Sequence, residues 1–330
     1  MSTRFPDRAT IRTALTMAVR APSVHNTQPW LWRLGDNSVH LYSNPSLQLP
    51  STDPDSRDLM ISCGIALNHC IVAFAALGWL TKAHRFPNPA DSSHLAAIEL
   101  EPYPASEVDV ALAAAIPQRR TDRRDYSSRP VSVADISLMG ARAARAGVML
   151  RKVESLTNLS ELVAEAAYRH ADSYEYLAEL SMWSGRYASE AGVPARSAPR
   201  LDHTTVIPRR AFAGPALTES PATAPIHDDA VVLALGTRDD DDVARLRAGE
   251  ATSLVLLTAT ALGLASCPIT EPLEISEIRD EVRADVFGTS GYPQMLLRIG
   301  WAPTEAEALP ATPRRPLSDV VTYLDGTVFN

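Results

Sequence analysis

Two short stretches concentrate the side chains that could hold a ligand. Residues 20–32, RAPSVHNTQPWLW, set an arginine, a serine, a histidine, an asparagine and a glutamine around two prolines and beside two tryptophans. Pro22 and Pro29 lack an N–H and fix φ, so regular helix is disfavoured between them. Ser23, His25, Asn26 and Gln28 can bond the edge of a heteroaromatic ring. Such a turn suits a flat ligand with an apolar face and a polar rim; a helix end running through a loop into a strand fits the composition equally well. Residues 118–124, QRRTDRR, are the densest positive cluster of the chain. Guanidinium forks bind phosphate bidentately and a threonine hydroxyl adds a donor. Arg119, Arg120, Thr121, Arg123 and Arg124 are therefore a candidate anion site, with a solvated basic loop tied to Asp122 and Asp125 as the alternative. Arg314 and Arg315, in TPRRP, are a second candidate.

Other chemistries lack their residues. There is no GxxxxGK[ST] phosphate loop, no GxGxxG after a strand, no HExxH and no GxSxG elbow. The eight histidines are scattered and suggest no metal. Asp53 and Asp55, and the run 239–242, read as solvated loop charges. A net charge of −8 argues against a nucleic-acid or anionic-membrane partner, so any anion site must be a local exception to the global field. Three cysteines make neither a disulfide framework nor a CxxC site. Cys63 and Cys70, two helical turns apart in an apolar pattern, read as core residues in a reducing compartment. The N-terminal MSTRFPDRAT has no apolar core of a signal peptide, and no run of 18 apolar residues follows. The expectation is a soluble, cytoplasmic protein.

With 330 residues, 45% of them hydrophobic, the chain has material for two domains or one doubled domain. Residues 10–20 carry helical periodicity, and Pro22 ends it. Segments 31–34 and 39–42 read as strands joined by the turn Gly35-Asp36-Asn37-Ser38. Residues 57–78 form a helix too apolar all round to lie on a surface. Strands follow near 81–86 and 95–100, then helices at 108–115 and 133–146 with a strand at 148–153. Residues 156–187 read as helical. Residues 191–225 hold six prolines and no period, which suits a cover, a binding loop or a disordered segment. A strand at 230–235, a second apolar helix at 248–263, a helix at 275–282 and a strand at 295–299 complete the pattern.

The two apolar helices match each other. Gly64-IALNHCIVAFAAL-Gly78 and Gly249-EATSLVLLTATAL-Gly263 share their glycine spacing, and both end Ala-Leu-Gly. Each is followed by a short strand and later by a Pro/Arg element, IPQRR in one case and ATPRRP in the other. This order reads as two related halves packed on each other, a dimer-like unit in one polypeptide.

On four motifs the sequence resembles the FMN-dependent nitroreductase superfamily over most of its length, and most nearly its mycobacterial Acg-like branch of two fused halves. APSVHNTQPW at 21–30 is similar to the family's APSxxNxQPW segment beside the flavin ring. RRTDRRDY at 119–126 resembles its RRSxRxF phosphate motif, and ATPRRPLSDVV at 311–321 its basic C-terminal segment. ALGLASCPITEP at 261–272 is similar to the stretch whose backbone reaches the flavin edge. The resemblance implies an α+β fold of two pseudo-symmetric halves, residues 1–115 and 116–330, each with a mostly antiparallel sheet flanked by helices. It implies FMN held by Arg119, Thr121, Arg123, Arg314 and Arg315 at the phosphate. Ser23, His25, Asn26 and Gln28 would bond the pyrimidine or ribityl side, and Arg20 the N1/O2 end. Backbone amides near Ile269 and Thr270 would approach N5 and O4.

The first half has the APS segment but no RRS motif before it, whereas the second has RRTDRR and the tail but reads ARAARAGVMLRKV where its own APS segment would fall. One complete site, and one FMN per chain, is therefore expected. NAD(P)H would be the reductant, and nitroaromatics or quinones the acceptors. A cover near 168–225 over the flavin face would instead make an FMN-sequestering protein. No metal, nucleic acid, membrane or homo-oligomer is required, because the chain mimics a dimer.

Overall fold

The computed structural model describes residues 5–186, 189–200, 206–217, 228–302 and 307–329. In chain order the elements are α1 (Arg8–Ala18), β1 (Trp30–Leu34), β2 (Val39–Ser43), α2 (Arg57–Ala76), β3 (Trp79–Arg85), β4 (His94–Pro102) and α3 (Glu107–Ala115). There follow α4 (Val133–Arg145), β5 (Met149–Lys152), α5 (Leu156–Ala171), α6 (Tyr174–Trp183), β6 (Ser184–Arg186) and β7 (Val193–Pro194). The chain continues through β8 (Val231–Thr237), α7 (Asp242–Ala261), β9 (Ala265–Ile269), α8 (Ser276–Val286), β10 (Tyr292–Gly300), α9 (Leu317–Val320) and β11 (Val321–Tyr323).

α2 and α7 form the centre. Neither is amphipathic enough to lie on a surface, and most of their residues are buried. They cross at their first glycines. A Cβ on Gly64 would stand 2.1 Å from the Leu246 carbonyl oxygen, and one on Gly249 would stand 2.2 Å from that of Ile61. The second glycine of each repeat ends its helix in the left-handed region, Gly78 at φ 85° and Gly263 at φ 81°, where a Cβ is costly. The matched glycines therefore do matched work. His69 of α2 also meets the Ser253 hydroxyl of α7 at 2.8 Å. α2 is long and apolar enough to cross a membrane, with a hydropathy of 1.9, but 83% of that window is buried inside the fold.

A sheet lies to either side of this pair. One runs β11-β1-β2-β4-β3 and the other β5-β8-β10-β9. Within these two sheets every pairing is antiparallel except β1 with β11, which is parallel with Trp32 opposite Val321. On β1, Trp30 and Trp32 are wholly buried while Arg33 is exposed, the alternation a pleated strand imposes. One apolar cluster runs from Leu15, Trp32 and Phe74 through to Leu235, Leu256 and Ile299. The sheets do not follow a cut at residue 115. β11, from the end of the chain, is laid into the N-terminal sheet.

Several expectations are corrected by long-range contacts. The helix expected over 156–187 is two helices, because the Ser173 side chain accepts the Tyr176 N–H and starts α6. The acidic residues expected to be solvated are partly structural. Asp53 is 3% exposed and its carboxylate caps α2 by accepting the N–H groups of Asp58 and Leu59 at 2.9 and 2.8 Å. Asp241 caps α7, which starts earlier than its apolar stretch suggests, and Asp240 pairs with Arg279 at 2.8 Å. Cys63 and Cys70 are buried, as expected of core residues, and burial pushes both thiols up.

Candidate active site

The turn after α1 is held in an unusual backbone shape. His25, Asn26 and Gln28 have φ of 44°, 56° and 56°, in a region that costs an L-residue on the order of 1–2 kcal/mol each. Neighbouring bonds hold it there. The Ser23 hydroxyl accepts the Gln28 N–H at 2.9 Å, Val24 N–H donates to the Ser62 hydroxyl, and the Thr27 hydroxyl donates to the Val24 carbonyl. This shape brings Pro22, Ser23, Val24 and His25 against one face of α2, where Asp58, Ile61, Ser62 and Ile65 follow helical spacing. Between them and the end of β9 lies a cavity of about 180 Å³. Its other walls include Thr121, Arg123, Ile269, Thr270, Glu271 and Met295, and residues 206–212 run along it as a strap.

Half of the expected ligand-holding residues line this cleft: Ser23, His25, Thr121, Arg123, Ile269 and Thr270. His25 is buried and neutral, because burial and then Arg210, Arg123 and His170 hold it well below the ordinary histidine value. Its Nε2 lies 2.6 Å from Arg210 Nη1. A guanidinium cannot accept, so Nε2 accepts and Nδ1 carries the proton. That Nδ1–H is buried with no partner. Arg123 donates to the Ser197 carbonyl at 3.0 Å and lies 4.8 Å from the Phe212 ring centroid. The Thr270 hydroxyl donates to Glu274 Oε1 at 2.8 Å.

The other half do not line it. Asn26 Nδ2 donates to the Gly192 and Pro313 carbonyls, and Gln28 Nε2 to the Glu190 carbonyl at 2.8 Å. The backbone N–H of Arg315 donates to Gln28 Oε1 at 2.9 Å. These three, expected at the ring or phosphate, tie the turn to segment 190–192 and to the C-terminal tail. The side-chain nitrogens of Asn26 and Gln28 are thus taken up by backbone carbonyls, the ordinary fate of a buried amide, whereas Asn26 Oδ1 is buried with no partner.

Arg20, Arg119 and Arg314 gather in a separate cluster that adjoins the cleft through residues 20–25 and 119–123. Arg314 Nη2 donates to the Arg20 and Ala21 carbonyls, and Arg20 Nη2 to that of Pro117. Arg20 is thus placed with the other arginines and does not line the cleft that Ile269 and Thr270 line. Arg119 is 6% exposed, and its Nε and Nη1 have no partner; Arg20 Nε and Arg314 Nε are also buried and unpaired. Burial, then Arg120 and Arg20, push Arg119 down to about 10, and burial, then Arg119, Arg20 and Arg120, push Arg314 down to about 9. The same guanidiniums act on His69, which burial first and this cluster next push down to about 3. Among the described residues no carboxylate forms an ion pair with Arg20, Arg119 or Arg314. Buried guanidiniums with unmet N–H groups and mutual repulsion fit an anion with several acceptor oxygens, such as a phosphate monoester.

A cover over the flavin face was expected from 168–225. From that stretch only 206–212 line the cleft among the described residues. Tyr174 and Met182 are exposed on α6, whereas Tyr176 is buried. Tyr187, 201–205 and 218–225 lie outside the described residues. Arg209 pairs with Asp125 at 2.5 Å, Arg210 with Glu274 at 2.5 Å, and Phe212 meets His25 edge-on at 6.1 Å between centroids. The sequence reading missed Arg210, Asp58, Glu271 and Glu274. The available signal was Arg209-Arg210 between Pro208 and Phe212, a dibasic pair with an aromatic inside the least regular stretch.

Comparison with known proteins gives three concordant results. The profile described as the nitroreductase family matches residues 116–301. A Mycobacterium tuberculosis protein provisionally named NAD(P)H nitroreductase Rv3131 is 61% identical, over 98% of this chain and 94% of its own length. A second from that organism, provisionally named NAD(P)H nitroreductase acg, is 36% identical over 94% of each chain. The solved structure of a provisionally described nitroreductase from Anabaena variabilis aligns with a TM-score of 0.50 and 8% identity, covering 91% of this chain and 90% of that one. This last is a likeness of fold.

Proposed function

The chain belongs to the nitroreductase family, and from that premise we propose that it binds one FMN and reduces small acceptors such as nitroaromatics or quinones with NAD(P)H. The observation that carries this is the arginine cluster with unmet N–H groups beside a cleft with apolar walls. Arg119, Arg314 and Arg20 would hold the phosphate. Thr121 and Arg123, next along the same segment, would follow the ribityl chain into the cleft. The His25 Nδ1–H would donate to an acceptor on the ring's polar edge. Ile61, Ile65 and Met295 would supply apolar contact and exclude water. Bound FMN would supply hydride chemistry at this position; the protein's part is to bind, orient and shield.

The strap favours a second reading. Residues 206–212 are anchored to the body by Arg209 and Arg210 and occupy one wall of the cleft. Held there, they would limit a second substrate and make the protein a store for FMN. One experiment separates the readings. Protein purified with flavin is mixed anaerobically with millimolar NADPH or NADH in a stopped-flow instrument, and the flavin absorbance is followed. Bleaching within seconds supports the oxidoreductase. No bleaching with flavin still bound supports storage, and absence of flavin from protein refolded with excess FMN refutes both.

A further inference from the structure

Arg210 sits in a pocket built from acids that belong to the body of the protein, not to the strap. Its guanidinium lies 2.5 Å from Glu274 Oε1 and 3.7 Å from Glu271 Oε1, with the Glu274 side chain wholly buried. Glu271 also meets His170, which stacks on Tyr176 with centroids 3.9 Å apart. Asp58, 2% exposed, lines the same cleft and pairs with Arg57 at 2.5 Å. Arg210 thus pairs with two buried carboxylates and Arg57 with a third, and Arg210 arrives on a segment distant in sequence from all of the acids. Burial opposes the charge on Arg210, yet Glu274, Tyr176 and Glu271 hold it protonated well above the ordinary arginine range. Without Arg210, Glu274 would be left with the Thr270 hydroxyl and Glu271 with His170, and a buried carboxylate that loses its guanidinium is costly. Ile61, Ile65 and Met295 stand in the adjoining cleft.

We propose that this pocket is a cation subsite of the cleft, with Arg210 as its built-in occupant. The cleft accordingly takes flat apolar molecules that carry an amidinium, guanidinium or ammonium group able to replace Arg210. Their ring lies along the apolar wall, and their charge lies against Glu274 and Glu271. This rests on the cleft being the ligand site. It adds the class of ligand that competes with the strap.

The test uses full-length protein, benzamidine as the probe and benzamide as its neutral near-isostere, with binding followed by calorimetry. Arg210→Ala should bind benzamidine at least tenfold more tightly than wild type does. In that variant benzamide should bind at least tenfold more weakly than benzamidine, and adding Glu274→Gln should remove most of the benzamidine affinity. Equal binding of the two probes, or no gain over wild type, overturns the proposal. Should Arg210→Ala not fold, Arg210→Met is refolded with and without benzamidine. Recovery of the fold by benzamidine and not by benzamide supports the subsite, and failure of both overturns it. Bound flavin is counted in parallel on the wild type. Its absence would sink the FMN reading while leaving the comparison of the two probes intact.

Discussion

A guanidinium buried without a partner is expensive, and Arg119 leaves two of its nitrogens so. The cost makes sense where an anion meets it. Replacing Arg119 with Met should have opposite signs with and without ligand. FMN affinity, measured by fluorescence quenching, should fall by about 1.5–3 kcal/mol, the range for a charge-assisted hydrogen bond. Ligand-free protein should instead melt at a higher temperature, because repulsion among Arg20, Arg119, Arg120 and Arg314 is relieved. A loss of stability in the ligand-free variant with FMN affinity unchanged would remove Arg119 from the site. His69 makes a second residue-scale prediction. Its value falls from 6.5 to about 3 in the folded state, burial being the first cause and Arg119 the second. Between those values the unfolded chain binds the proton and the folded chain does not. Stability is therefore full above pH 6.5 and is lost as pH drops toward 3, with a limiting slope of about 1.4 kcal/mol per pH unit from this group. Urea unfolding of wild type and His69→Gln at pH 7 and pH 5 checks it. The difference between the two proteins should narrow at the lower pH.

The two apolar helices explain why their glycines repeat. Gly64 and Gly249 let two backbones meet, with a Cβ on Gly64 falling 2.9 Å from the Gly249 Cα. Gly78 and Gly263 solve a different problem, closing each helix in a left-handed turn. Alanine should therefore be tolerated unequally. At Gly64 it drives into the Leu246 carbonyl, which belongs to a helix with no room to retreat. The expected loss is about 3 kcal/mol or more, since overpacking is felt by a whole element. At Gly78 the nearest atom to an added Cβ is the Tyr103 carbonyl oxygen at 3.6 Å, so only the conformational cost of about 1–2 kcal/mol remains. Chemical denaturation of both variants should rank them in that order. Equal losses would show that the crossing is looser than its distances. This repeat was legible because glycine spacing and apolar runs are local, and the strands at 31–34 and 39–42 were legible for the same reason. The Asp53 and Asp241 caps were not, because an acidic loop residue reads alike whether it faces water or a helix start.

At the scale of the molecule, what the sequence could not disclose is how the two ends of the chain are tied. Asn26 and Gln28 looked like ligand-binding amides because composition shows only that they can hydrogen-bond. Their partners, at 190–192 and 313–315, come from folding the distant parts of the chain together. Arg210 was hidden for the same reason, since its acids sit on α2 and just after β9. These ties join the N-terminal and C-terminal parts of the chain, which should therefore fold as one unit. β11 belongs to the N-terminal sheet, Arg314 bonds the backbone that follows α1, and the main apolar cluster draws on both sides of the α2–α7 crossing. A chain cut between Pro104 and Ala105, both exposed, tests this, since exposed loop positions tolerate cleavage. Residues 1–104 alone would leave the α7-facing side of α2 and the β11 edge of β1 bare; residues 105–330 alone would expose α7 and leave the tail with no sheet to join. Neither fragment should show a cooperative thermal transition. Mixed, they should co-elute at one to one by size exclusion and regain FMN binding, because Arg20 comes from one piece and Arg119 and Arg314 from the other. A cooperative transition in either fragment alone would show that its half folds without the other, and FMN binding by one fragment would show that the site is not shared between them.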